Sequence, residues 1–124
     1  MSNVFHGNIN LITEENSYFR DVIATTTTMQ LVVMSIEPND EIGTETHEYT
    51  TQFIRVEKGS GICITNDETF VLEEGSSILI PPETQHNIIN TSSTEPLKLY
   101  TLYSPPNHPK NRFDPVKPNF ELSE

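Results

Sequence analysis

An all-β fold, an antiparallel sandwich or barrel, is what this sequence predicts, and three observations predict it. From Thr27 onward, β-branched and aromatic residues gather in short runs. Turn-forming residues separate each run from the next. The intervals are too short for the helical crossovers that a parallel sheet needs. With 124 residues the chain is long enough for one core and too short for two.

Residues 1–26 form a mixed, polar N-terminal segment. It holds one short candidate element, Glu14–Ile23, whose periodicity does not type it. Residues 27–104 carry the strands, read as Met29–Glu37, Ile42–His47, Gln52–Glu57, Gly61–Thr65, Thr69–Leu72, Ser77–Ile80, His86–Asn90 and Leu97–Ser104. Turns are expected at Pro38-Asn39-Asp40, Lys58-Gly59, Asn66-Asp67, Glu74-Gly75, Pro81-Pro82 and Ser92–Pro96. Residues 105–124 hold five of the nine prolines, which excludes a central strand or a helix there. Two readings of this arm stand side by side. It is a mobile tail, or it is an extended arm whose Phe113, Val116 and Phe120 pack on the barrel or on a second subunit.

Seven Lys and Arg against eighteen Asp and Glu leave a formal charge of −11. Phosphate backbones and anionic membrane surfaces repel such a chain, so neither nucleic acid nor membrane is expected as a partner. Ten aromatics and many aliphatic residues supply a core, against wholesale disorder. The lone Cys63 excludes an internal disulfide and reads as a small buried hydrophobe. No basic stretch leading into an apolar run opens the chain, and no apolar run nears the ~18 residues of a membrane span. A cytoplasmic protein is the expectation, in which the sequon Asn90-Thr91-Ser92 is accidental.

Chemistry concentrates in Ile42–His47 and the strand after it. Glu45 and His47 stand two apart, so on a strand they share one face. Gln52 heads the next run with Ile54 and Val56 on its own face, while Phe53, Arg55 and Glu57 point outward. His86 follows the Pro-Pro turn, and a barrel brings its strand beside the first pair. Glu45, His47, Gln52 and His86 offer one carboxylate, two imidazoles and one amide oxygen, all donors to a divalent first-row metal. The competing reading makes His47 and His86 half-buried strand histidines bonded to backbone.

At this point the sequence resembles the cupin superfamily. The first cupin motif runs glycine, five residues, His-x-His, three or four residues, Glu, six residues, glycine. Here Asn39 stands for the first glycine, Glu45 for the first His and Gln52 for the Glu, while His47 and Gly59 match. The second motif runs glycine, five residues, Pro-x-Gly, two residues, His, three residues, Asn. Gly75, Pro81, His86 and Asn90 match it, with Glu83 where a glycine is usual. A Glu at that position raises the question of positive-φ strain. The runs QFIRVEKGSG, PPETQHNIIN and PLKLYTLYSPPNHP are similar to small single-domain cupins labelled mannose-6-phosphate-isomerase-like.

The resemblance implies a single-domain, jelly-roll β-barrel of cupin type, mostly antiparallel, with a Pro-rich C-terminal arm. It implies a homodimer and a divalent metal (Mn, Fe, Ni or Zn) held by Glu45, His47, Gln52 and His86. Such a centre suits an enzyme of isomerase, lyase or oxygenase type acting on a small carbonyl- or hydroxyl-bearing molecule. Two alternatives stay open: a non-catalytic small-molecule or sugar-binding module, and a metal-free sugar isomerase with the histidines as acid and base. No catalytic base is identified in the sequence.

The remaining polar residues read more plainly. Arg55 pairs with Glu57 or serves an interface. Tyr100 and Tyr103 lie on opposite faces of the last strand, so at most one faces the pocket. Gln85 points away from the metal. Asn90 supports the site or caps a turn. His6 and His108 are expected to be solvated and non-functional, unless an arm folds over the pocket mouth. Glu41, Glu48, Glu73 and Glu74 are surface charge.

Overall fold

The structure is a computed structural model that describes residues 4–119. Its elements are α1 (Ile9–Glu15), β1 (Arg20–Thr25), β2 (Gln30–Ile36), β3 (Thr51–Lys58), β4 (Gly61–Thr65), β5 (Thr69–Leu72), β6 (Ser77–Ile80), β7 (His86–Asn90), β8 (Leu97–Ser104) and β9 (Phe113–Asp114). One sheet runs β6-β3-β8-β2-β1-β9 and the other β5-β4-β7. Every strand pair is antiparallel. The two sheets close over one core, the jelly-roll arrangement that the sequence predicts.

Alternation along the strands builds that core. β8 buries Leu97, Leu99, Thr101 and Tyr103, and β3 buries Gln52, Ile54 and Val56. Cys63, Leu72, Ile80 and Ile88 meet them from β4, β5, β6 and β7. Cys63 is fully buried, and burial pushes its thiol pKa up, as suits an inert hydrophobe. β2 departs from alternation, because Val32 through Ile36 are all buried. Its outer face is covered: Ser35 N–H donates to the Tyr18 carbonyl, and α1 packs across β8, β3 and β2. Asn8 caps α1 by accepting from Leu11 N–H at 3.0 Å.

The strand runs from β2 to β8 fall within a residue of the expected bounds, with one exception. Ile42–His47 is not a strand. It runs beside β7 through isolated bridges, Glu41 to Ile89 and Glu45 to His86. Gly43, at φ +112°, interrupts the ladder between them and turns its N–H to Asn87 Oδ1 instead. Upstream, the untyped segment resolves into the end of α1 and strand β1, so the sheet begins at Arg20, before residue 27.

The arm lies on its own barrel. β9 pairs with β1 at the sheet edge, and Phe19 and Val22 N–H groups donate to the Pro115 and Arg112 carbonyls. Phe113 packs edge-on to Tyr18 at 4.7 Å, whereas Val116 is exposed and Phe120 lies outside the described residues. Gln30, fully buried in β2, pins the arm. Its Oε1 accepts from Asn107 and His108 N–H, and its Nε2 donates to the His108 carbonyl at 2.7 Å. Further on, Asp114 receives both Arg20 and Arg112 at 2.9 Å.

The β3–β4 turn is sterically sealed. Gly59 has φ +95°, and an added Cβ would stand 2.5 Å from the Pro96 carbonyl oxygen. Gly59→Ala is therefore expected to cost about 2–3 kcal/mol, from left-handed strain joined to a clash. A urea midpoint unchanged by the substitution would refute this.

Candidate metal centre

The site gathers at one end of the barrel from three places in the chain. Glu45 and His86 hold each other through paired backbone bonds, Glu45 N–H to His86 O at 2.8 Å and the reverse at 2.9 Å. The His47 carbonyl accepts from Glu83 N–H at 2.7 Å. Glu83 adopts φ +66° and Asn39 φ +62°, so both non-glycine residues at glycine positions of the motif take the left-handed conformation. The turn before β7 thereby anchors the segment that carries His47. β3 supplies Gln52, whose register partner on β8 is Tyr103.

One ligand atom from each of Glu45, His47 and His86 can be chosen so that all lie within 4.8 Å of one another. His47 and His86 are buried, and the Glu45 side chain is 23% exposed. Glu45 Oε1 is 3.5 Å from His47 Nε2 and 4.0 Å from His86 Nε2. Burial resists ionisation of Glu45. The facing His47, with charge from His86 and Arg20, outweighs it and holds the carboxyl below its ordinary pKa. Burial likewise pushes His86 below the ordinary histidine range, against the Thr84 hydrogen bond and Glu45.

Donor and acceptor accounting shows what the pocket lacks. The Thr84 carbonyl, 2.9 Å from His86 Nδ1, can only accept, so Nδ1 carries the proton and neutral Nε2 presents a lone pair. Gln52 Nε2 points to Thr101 Oγ1 at 3.1 Å and the Tyr103 hydroxyl at 3.3 Å. Its Oε1 therefore faces His86 Nε2 at 3.1 Å, acceptor against acceptor. His47 Nε2 is buried with no hydrogen-bond partner. A cation among these atoms satisfies all of them, so the residues fit a divalent metal.

Of the four residues singled out in the sequence, Glu45, His47 and His86 cluster, and Gln52 Oε1 adjoins His86 Nε2. Tyr103 is the inward tyrosine, and Tyr100 lies on the other face. Arg55 faces out, 3.7 Å from Glu57, and Gln85 is exposed. Asn90 caps turns, donating to the carbonyls of Ile36, Glu37 and Glu95 and accepting from Ser92 N–H. One expectation is overturned. His108 is not solvated: it is 6% exposed and packs edge-on to Tyr103 at 5.2 Å. The Gln30 clamp that carries it inward joins residues 78 apart, a pairing that local pattern does not reveal. Nor does any motif single out Arg20, whose charge reaches Glu45.

Comparison with known proteins follows the same lines. Residues 32–103 match the family model described as Cupin domain. An uncharacterized protein of Acanthamoeba polyphaga mimivirus is 45% identical over 118 residues, covering 93% of this chain and 74% of its own length. The uncharacterized protein YrkC of Bacillus subtilis is 41% identical over 108 residues, covering 82% of this chain. This chain spans 58% of that relative's length. A crystal structure from Bacillus halodurans superposes with a TM-score of 0.88 at 36% identity, over 91% of this chain and 89% of that one. Among the described residues no helix is long and apolar enough to cross a membrane.

Proposed function

This chain belongs to the cupin family, and on that footing we propose that Glu45, His47, Gln52 and His86 hold one divalent metal, Mn, Fe, Ni or Zn. The site serves a small polar molecule bearing carbonyl or hydroxyl oxygens. The observation that carries the reading is that one ligand atom each from Glu45, His47 and His86 lies within 4.8 Å of the others, with Gln52 Oε1 3.1 Å from His86 Nε2. A bound divalent ion supplies Lewis acidity toward a substrate oxygen, chemistry shared by isomerases, lyases and oxygenases. The chain's own groups prepare for it. Thr84 fixes the His86 ring, Thr101 and Tyr103 aim the Gln52 oxygen, and Ile54 and Val56 keep the floor dry. Similarity of the motif runs supports assignment to the mannose-6-phosphate-isomerase-like branch, and a cytoplasmic protein belongs to the same proposal. A homodimer would cover exposed Val71 and Leu79 on the edge strands β5 and β6, and sedimentation velocity reads its mass.

Metal per chain, measured by mass spectrometry on untagged protein purified without chelator, tests the centre. Near-stoichiometric first-row metal is expected. No metal, even after divalent ions are added, would leave a binding module or a metal-free isomerase. Binding or turnover that survives a chelator would favour those same two readings.

Gln52 separates the readings independently. An amide turned end over end would donate to His86 and remove the need for a cation. Gln52→Glu denies that option and adds a charged ligand. In the metal reading, affinity for Zn(II) rises by about tenfold or more, the scale on which neighbouring groups tune metal sites. Unchanged zinc affinity in a folded variant would count against Gln52 as a ligand.

A further inference from the structure

The arm brings one more imidazole to this end of the barrel. His108 is 94% removed from solvent, and its Nδ1 is buried with no hydrogen-bond partner. It does not arrive by loose collapse. Gln30 spends both ends of its amide on the backbone of residues 107 and 108, and Thr50 Oγ1 holds the Pro105 carbonyl at 3.2 Å. Arg20, Arg112 and Asp114 fasten the chain beyond it. His108 is thereby fixed from both sides.

Its surroundings connect it to the proposed centre. Tyr103 stands edge-on to His108 at 5.2 Å and edge-on to His47 at 5.8 Å, with its hydroxyl on Gln52. The charges of Glu45 and His47 are felt at His108, and burial keeps its ring neutral at physiological pH. If packing alone were required here, a phenylalanine would fill the place without stranding a polar atom. A neutral imidazole instead donates to or accepts from a hydroxyl without adding charge.

The geometry points to His108 as a ligand-binding residue, its Nδ1 hydrogen-bonding a hydroxyl of the small molecule held at the Glu45, His47, Gln52 and His86 centre. The inference rests on the metal reading above, and it narrows the substrate. That molecule carries a hydroxyl in addition to the oxygen that approaches the metal.

The test uses the full chain loaded with Zn(II), titrated with malate and with succinate, which lacks the hydroxyl. His108→Phe keeps a ring against Tyr103 and leaves the Gln30 clamp on the backbone, and His108→Gln restores a polar group. Wild type should bind malate at least several-fold more tightly than succinate. His108→Phe should bind Zn(II) as wild type does but lose the preference for malate, and His108→Gln should recover part of it. In nitrogen-15 spectra the His108 Nδ1 signal should move with malate and stay with succinate. Equal preference in wild type and His108→Phe overturns the role of His108 alone. Zinc binding with no affinity for either acid overturns the ligand class. Failure of wild type to bind zinc overturns the metal reading beneath both.

Discussion

One equivalent of Zn(II) added to chelated protein should raise its melting temperature by about 10 °C, and His86→Ala should abolish that rise. A ligand that binds only the folded chain stabilises it by roughly 2.7 kcal/mol at a hundred times its dissociation constant. For a domain of this size, each kcal/mol moves the midpoint by a few degrees. The folded state alone assembles the site, since His86 lies 34 residues beyond Gln52 and meets the Glu45 segment only through pairing beside β7. His86→Ala removes a proposed ligand whose ring the Thr84 carbonyl has already oriented. Affinity should fall by at least the ~100-fold seen when supporting groups are lost. The quantity read is the metal-dependent increment within each protein, so any change in the stability of the apo variant cancels. His47→Ala should behave alike, while Gln85→Ala, outside the pocket, should keep the full rise. An increment that persists in His86→Ala would remove the histidine from the centre.

Most of the barrel was legible because its strands obey local rules. Gln52, Ile54 and Val56 alternate with exposed neighbours, and turn residues such as Asn66-Asp67 bracket β4. The same parity set Tyr100 and Tyr103 on opposite faces and turned Arg55 outward. The candidate metal site was legible at the level of donors, since Glu45, His47 and His86 follow a recognisable spacing and cluster in the fold. Parity served even where the element did not form. Glu45 and His47 reach one site from an extended segment that Gly43 keeps from being a strand. What stayed hidden depends on long-range covering. β1 sits between β2 and β9, and after the buried Arg20 its residues are shaded rather than sealed, which leaves no alternation to read. The prolines of the arm argue correctly against a central strand, yet they permit an edge strand and a docked backbone. No local pattern announces that a glutamine in β2 will grip residue 108.

Buried His108 also predicts how the fold responds to acid. Burial lowers its pKa to about 4. Arg20, Arg112 and His47 add to the effect, and Glu45 opposes it. The unfolded chain takes up this proton near the ordinary value of 6.5, whereas the native ring resists until pH approaches 4. Between those values the unfolded state binds more protons, so stability rises with pH and is lost as pH falls from about 6.5 toward 4. At pH 4.5 the native state should have lost about 2 kcal/mol through this one group relative to pH 7. His86 contributes in the same direction, and Glu45 adds its own loss once its carboxylate protonates, so a bare acid titration would not isolate His108. The comparison that does isolate it is urea unfolding of chelated wild type and His108→Phe at pH 7 and pH 4.5. Phenylalanine cannot take up a proton, so the variant should give up about 2 kcal/mol less than wild type over that interval. Parallel losses in the two proteins would mean that His108 protonates freely in the native state, and that the arm lifts from the barrel at a cost too small to hold the ring neutral.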